Sequence, residues 1–109
     1  MDHTEIERLA EQSAEAATML RALANQQRLL ILCHLSAATE MSVSALQGRM
    51  ELSQSALSQH LARLREEGLV TFRRDAQTLI YRMADERASR LIGLLHELYC
   101  PSLEPERRS

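Results

Sequence analysis

The sequence predicts a mainly α-helical protein with one small β-hairpin, in the order α-α-α-α-β-β-α. The 109 residues include only three glycines and two prolines, and the residues that favour helices are abundant. Apolar residues recur at helical spacing along most of the chain, whereas β-branched and aromatic residues gather over 69–83. Chains divide into several domains only beyond roughly 250 residues, so we expect a single domain.

The N-terminal part predicts two helices. Residues 1–24 carry the apolar stripe of one long helix: Ile6, Leu9, Ala10, Ser13, Ala16, Ala17, Leu20 and Leu23. Asn25 is the predicted N-cap of a second helix that extends to about Ser36. The centre of this second helix is too apolar for the surface, so we expect it in the core. A short polar connection over 37–41 follows.

A helix-turn-helix is predicted over residues 42–67. Its first helix starts at Ser42, and a turn follows over residues 48–52. Ser53 is the predicted N-cap of its second helix, and Gly68 takes the position just after the end of that helix. The two helices together form the motif that places its second helix in the major groove of DNA.

A β-wing and a closing helix complete the pattern. The wing spans 69–83 and consists of two strands separated by the polar residues 75–77. The last helix spans 85–100 and is stopped by Pro101, after which 101–109 form a polar tail. Because the first and last helices have broad apolar stripes, we expect them to form the contact of a homodimer.

The charge distribution permits a nucleic-acid partner. The net charge is −2 and all 13 basic residues are arginine. Acidic residues dominate the first twenty positions, whereas arginines outnumber acidic residues over 41–82. No apolar run approaches the ~20 residues of a membrane span, and the acidic start differs from a secretory signal. We therefore expect a cytoplasmic protein with no membrane partner.

The second helix of the motif and the wing carry the candidate DNA contacts. Glutamine suits a bidentate contact with adenine and serine suits either base partner, whereas arginines further along the helix and on the wing suit phosphate. The candidate DNA-binding residues are Gln54, Ser55, Ser58, Gln59, His60, Arg63, Arg73 and Arg74. The alternative is an ordinary solvated helix face, but the adjoining wing with paired arginines favours DNA.

Three segments resemble the ArsR/SmtB family of small dimeric winged-helix repressors of bacteria. They are LANQQRLLIL from Leu23, LSQSALSQHL from Leu52 and LREEGLV from Leu64. The resemblance covers roughly residues 15–100 and implies a winged helix-turn-helix homodimer that binds a double-stranded DNA operator. The chain departs from the family at Asn25-Gln26, where a His-Pro pair is common, and it lacks the glycine frequent at the wing tip.

The metal-sensing sites of the family are not matched. Ser42 and Ser44 stand where arsenic-sensing members have two cysteines, and a soft metalloid needs thiolates. Arg87 stands where zinc-sensing members have their first histidine. The four histidines of the chain are scattered over separate elements, whereas zinc needs three or four ligands together. We therefore expect no metal and no cofactor.

The two cysteines are the predicted redox-sensing residues. From the residues alone, Cys33 is a small buried hydrophobe within an apolar run, and Cys100 has no assigned role. Their positions, however, resemble the thiol-switch branch of the family, which regulates biofilm growth, hemolysin expression and sulfide oxidation. In that branch, persulfides or polysulfides join the two thiols through a bridge of sulfur atoms. The resemblance implies that DNA affinity falls when Cys33 and Cys100 are linked by such reactive sulfur species.

Several alternatives remain open at this point. The cysteines could form a peroxide-type disulfide switch, or the protein could be a derepressor that displaces a silencing protein from DNA. A metal sensor, a winged helix that binds protein instead of DNA, and a thiol that transfers sulfur with turnover are further alternatives. The sequence has no nucleophile–base–orienter set and no glycine-rich phosphate loop, so we expect a regulator and not an enzyme.

Overall fold

The computed structural model describes residues 1–100, which form six helices and a three-stranded antiparallel sheet. The predicted tail 101–109 lies outside the described residues. The helices are α1 (His3–Glu11), α2 (Ser13–Leu23), α3 (Gln26–Ala38), α4 (Val43–Arg49), α5 (Gln54–Glu66) and α6 (Glu86–Tyr99). The strands are β1 (Glu40–Ser42), β2 (Val70–Asp75) and β3 (Thr78–Met83). In the described part of the chain, no helix has both the length and the apolar character to cross a membrane.

The prediction of one long helix over 1–24 is wrong, because the helix breaks at Gln12 into α1 and α2. The backbone of Gln12 leaves the helical region, with φ −104° and ψ 4°. The Ser13 hydroxyl donates a hydrogen bond of 2.8 Å to the Ala10 carbonyl, which offers that carbonyl an alternative to the helical ladder. The apolar spacing continues across the break, so periodicity alone predicts one helix.

The predicted polar connection over 37–41 is also replaced by regular structure. α3 extends to Ala38, and β1 pairs with β3 in antiparallel register, with Glu40 opposite Arg82 and Ser42 opposite Ile80. A strand of three residues is too short to show alternation, and the open edge of β3 supplies its pairing. The predicted hairpin becomes part of a sheet of order β1-β3-β2.

The predicted hairpin of β2 and β3 is confirmed. The strands pair from Val70 opposite Met83 to Asp75 opposite Thr78, so the turn contains only two residues. Ala76 in this turn has φ 60°, a left-handed conformation that glycine or asparagine adopts more easily. The wing therefore reaches the tight turn without the glycine that is frequent in the family.

The helix boundaries follow the predicted capping residues. The Asn25 and Ser53 side chains accept hydrogen bonds from the first turns of α3 and α5, at 3.0 and 3.1 Å. Gly68 has φ 76° just beyond α5, and the Asp85 carboxylate caps α6. These local signals confirm the predicted starts of α3, α5 and α6.

α3 is the central helix of the core, as its apolar centre predicts. Ile31, Leu32 and Leu35 are fully buried. They pack within a cluster that also holds leucines of both helices of the motif, Val70 and Tyr81 of the sheet, and Ala88 and Ile92 of α6. α3 therefore contacts the DNA-binding motif on one side and the closing helix on the other.

Candidate DNA-binding surface and thiol groove

The N-terminal half of α5 exposes a row of polar side chains. Leu57, Leu61 and Leu64 are buried and fix the rotation of α5 about its axis, because residues three and four apart share one helix face. The predicted contact residues Gln54, Ser55, Ser58 and Gln59 are all exposed. We call these four residues the polar α5 surface.

His60 lies apart from the polar α5 surface. Its side chain is half-buried, and desolvation together with the nearby Arg28 guanidinium lowers the pKa of its imidazole. Arg28 itself donates hydrogen bonds to the Ala22 and Arg21 carbonyls at the end of α2, at 2.7 and 3.3 Å. His60 thus belongs to the junction between α2, α3 and α5, where a neutral imidazole is favoured.

Two of the predicted phosphate-binding arginines have acidic partners. Arg63 Nε lies 3.5 Å from the carboxylate of Glu67, the residue just beyond the end of α5. Arg73 Nη2 donates to Glu40 Oε1 at 3.0 Å, and Arg73 Nη1 lies 4.0 Å from Asp75 Oδ2. The Glu40 hydrogen bond is the main reason why the pKa of Arg73 is raised. The sequence pattern did not indicate Glu40, because it is far from Arg73 in the chain.

An arginine and an aromatic pair connect α5 to the wing. The Arg65 guanidinium carbon lies 5.0 Å from the centre of the Phe72 ring, in the range of a cation–π contact. The Phe72 ring lies 5.2 Å from that of Tyr81 on β3, at 43°. Arg74 is exposed on β2, on the same face of the strand as Phe72 and on the opposite face from Arg73. The Arg65 side chain is therefore a direct contact between α5 and the wing.

Cys33 and Cys100 line the same groove between α3 and α6. The groove has a volume of about 840 Å³, and we call it the thiol groove. Both cysteines are free thiols. The remaining lining residues are mostly apolar or small: Leu29, Ser36, Ala37, Ile92, Gly93, Leu95, His96 and Tyr99. The fold therefore places in one groove two cysteines that lie 67 positions apart in the chain.

The environment of Cys33 differs from that expected of a small core residue. Cys33 is exposed, because it lies on the face of α3 opposite the buried Leu32 and Leu35 side. The interpretation of Cys33 as a buried hydrophobe is therefore wrong. Partial desolvation by the groove walls, and then the charge of the nearby Cys100, raise the pKa of the Cys33 thiol. Cys33 is accessible to a small reagent but holds its proton more tightly than a free cysteine.

The terminal helices leave a second apolar surface uncovered. Five large aliphatic side chains are exposed on α1, α2 and α6: Ile6, Leu9, Leu20, Leu94 and Leu98. Leu9, Leu20 and Leu94 also line a groove of about 650 Å³ between these helices. We call the five residues the terminal-helix surface. Contiguous exposed apolar patches of this kind mark interaction sites.

No cluster of three or more His, Cys, Asp or Glu side chains suited to a metal ion occurs within residues 1–100. The histidines that the sequence contains stay on separate elements in the fold. His3 is on α1, His34 on α3, His60 on α5 and His96 on α6.

Comparison with known proteins agrees with this architecture. The model of the family described as "Bacterial regulatory protein, arsR family" matches residues 19–71. The transcriptional activator HlyU of Vibrio cholerae is 50% identical over 95 residues, which cover 87% of each chain. The crystal structure of the transcriptional repressor BigR from Xylella fastidiosa superposes with a TM-score of 0.81 at 32% identity, covering 92% of this chain and 98% of that one.

A third relative is described as a homodimer. The solution structure of a possible ArsR-family regulator from Mycobacterium bovis, described as a homodimeric winged helix-turn-helix DNA-binding domain, has a TM-score of 0.74. It is 33% identical to this chain and the match covers 89% of both chains. Identity of 50% over most of both chains, with a matching fold, is sufficient to assign the family. The chain belongs to the ArsR family and is a DNA-binding transcriptional regulator with a winged helix-turn-helix fold.

Proposed function

We propose that the protein is a homodimeric repressor that binds a near-palindromic double-stranded DNA operator and releases it when reactive sulfur species link Cys33 to Cys100. The observation that carries the proposal is the thiol groove, in which both free cysteines line one cavity between α3 and α6. The relatives include an activator and a repressor, and the alternative function is that of a derepressor that displaces a silencing protein from DNA.

The proposed chemistry transfers sulfur first and closes the bridge second. Each cysteine thiolate takes the outer sulfur of one persulfide molecule, RSSH, and releases the thiol RSH, so both cysteines become persulfides. The outer sulfur of the Cys33 persulfide anion then attacks the inner sulfur of the Cys100 persulfide and expels HS⁻. The product is a trisulfide between the two residues. The second persulfide sulfur leaves as sulfide and accepts the electron pair, so no other oxidant is needed.

A bridge of several sulfur atoms suits two thiols on the walls of an open groove. A direct disulfide requires Cα atoms about 4.4–6.8 Å apart, whereas each added sulfur lengthens the reach of the bridge. A peroxide-type switch would form the direct disulfide and add no sulfur. The two mechanisms are therefore distinguished by the mass of the linked protein.

The position of the thiol groove provides a route by which a sulfur bridge would affect the DNA-binding surface. α3 carries Cys33 and packs through Ile31 and Leu35 into the core that supports α5. α6 ends at Tyr99, directly before Cys100, and carries part of the terminal-helix surface. A covalent link between α3 and α6 would therefore change the position of α5 relative to the dimer contact, which is a local bond acting on a two-state element.

The terminal-helix surface is expected to be buried between two copies of the chain. A two-fold dimer places its two α5 helices about one turn of DNA apart, or a multiple of that distance. Sedimentation at micromolar concentration should show a dimer, and Leu94→Glu should shift it towards monomer because a buried charge without a partner is costly. Glu97→Gln, on the same helix, is the control. A wild-type protein that sediments as a stable monomer at this concentration would contradict the proposed assembly.

The experiment that tests DNA binding is footprinting of the DNA upstream of the protein's own gene, followed by a salt titration. Protection of a near-palindromic sequence is expected. The logarithm of affinity should fall linearly with the logarithm of salt concentration, because bound arginines displace counterions from phosphates. A winged helix that binds only protein would protect no sequence. A thiol that transfers sulfur as an enzyme would consume persulfide over many turnovers, whereas the proposed switch consumes two persulfide molecules per subunit and then stops.

A further inference from the structure

Glu40 and Arg73 form an ion pair across the outer face of the wing. β1 and β2 are the two edge strands and β3 lies between them. Glu40 is the register partner of Arg82 on β3, and Arg82 is in turn the partner of Thr71, two residues before Arg73 on β2. Glu40, Arg82, Thr71 and Arg73 therefore share one face of the sheet. The Glu40 carboxylate reaches across β3 and accepts the 3.0 Å hydrogen bond from Arg73.

The pair is open to solvent and therefore open to a phosphate. The Arg73 side chain is 53% exposed and the Glu40 side chain is 40% exposed. Carboxylate and phosphate oxygens bind the planar guanidinium fork in the same way. Exposed ion pairs contribute little to stability, so a DNA phosphate can replace the carboxylate on Arg73. The negative charge of Glu40 nevertheless remains beside the bound phosphate and repels it.

We propose that the Glu40 carboxylate competes with DNA phosphate for Arg73. Glu40 occupies Arg73 in the free protein and thereby limits the sequence-independent affinity of the wing for DNA. The inference rests on the proposed contact between the wing and DNA. As a consequence of this competition, the dimer binds more weakly to the large excess of non-operator DNA. Asp75, 4.0 Å from the same guanidinium, adds to this effect, since two carboxylates then surround one arginine.

Glu40→Gln is the variant that tests the proposal. Glutamine has the shape of glutamate and retains an oxygen that can accept from Arg73, so the substitution removes the charge and keeps the positioning contact. At low salt, the affinity for operator and for random duplex should both rise, by on the order of threefold. The slope of the logarithm of affinity against the logarithm of salt concentration should become steeper by up to about one unit. Glu97→Gln on α6, an equivalent loss of an exposed carboxylate, should change neither quantity.

Combining Glu40→Gln with a substitution of Arg73 or Arg74 identifies the arginine through which Glu40 acts. The gain from Glu40→Gln should disappear in the Arg73→Ala protein and persist in the Arg74→Ala protein. Arg73→Ala alone should weaken binding to operator and random DNA alike and flatten the salt slope. A Glu40→Gln protein with unchanged affinity, with reduced affinity, or with the same gain in the Arg73→Ala background would overturn the proposal. If the wild-type protein binds no duplex at all, the proposed function itself fails.

Discussion

Persulfide treatment of the reduced dimer is expected to lower its operator affinity by at least tenfold, which corresponds to about 1.4 kcal/mol. Cys33 and Cys100 both line the thiol groove. A sulfur bridge between them would link the helix that supports α5 to the helix that carries part of the dimer contact. Because the proposed near-palindromic operator would require two α5 helices at one fixed separation, a displacement of either helix should reduce binding on both half-sites at once.

The products of the persulfide treatment should identify the mechanism. Mass spectrometry should show an intrachain link between Cys33 and Cys100 that retains extra sulfur, and a reductant should restore both thiols and operator binding. The rate should rise with pH through the neutral and mildly alkaline range, since the pKa of Cys33 is raised and only the thiolate attacks. Peroxide should be a poorer inducer. A link of the same yield without added sulfur would instead indicate the disulfide switch.

Gln59→Ala is expected to weaken operator binding by about 1–3 kcal/mol and to change binding to random duplex little. Gln59 is exposed in the first half of α5, where the second helix of the motif meets base edges. Its amide can donate and accept at once, as a bidentate contact with adenine requires. Removing this contact leaves the phosphate contacts intact, so only the sequence-specific part of the affinity is lost.

Gln26→Ala provides the matched control for this prediction. Gln26 is an exposed glutamine at the start of α3, outside the helix-turn-helix motif. Its replacement should leave both affinities unchanged, as measured by fluorescence anisotropy at the same salt concentration. Equal losses on operator and random DNA for Gln59→Ala would remove Gln59 from base recognition and assign it to phosphate contact.

Local signals account for the part of the fold that the sequence predicts well. Asn25, Ser53 and Asp85 bind the backbone within three residues of themselves, so their effect on helix starts is independent of the rest of the chain. The exposed position of Gln59 follows in the same way from the leucine spacing of α5. For these features, the residues that form the sequence pattern are the same residues that make the contacts in the structure.

Features that depend on distant partners could not be predicted in this way. β1 exists because the edge of β3 is open, and no property of residues 40–42 indicates that pairing. The Glu40–Arg73 ion pair depends on the same strand. The exposure of Cys33 depends on which face of α3 the core covers, and an apolar run on all sides of a helix does not specify that face. That Cys33 and Cys100 line one groove could not be predicted from their spacing, and only the resemblance to the family implied that the two thiols act together.

The most direct test of the account is the operator affinity of wild type, Cys33→Ser and Cys100→Ser before and after persulfide treatment. Serine differs from cysteine by one atom and cannot accept a sulfur bridge. All three reduced proteins should bind the operator with similar affinity, because the thiols lie away from the polar α5 surface. After treatment, the wild type should lose at least tenfold and both variants should be unchanged. If either serine variant still releases the operator on persulfide treatment, the two-thiol mechanism is wrong.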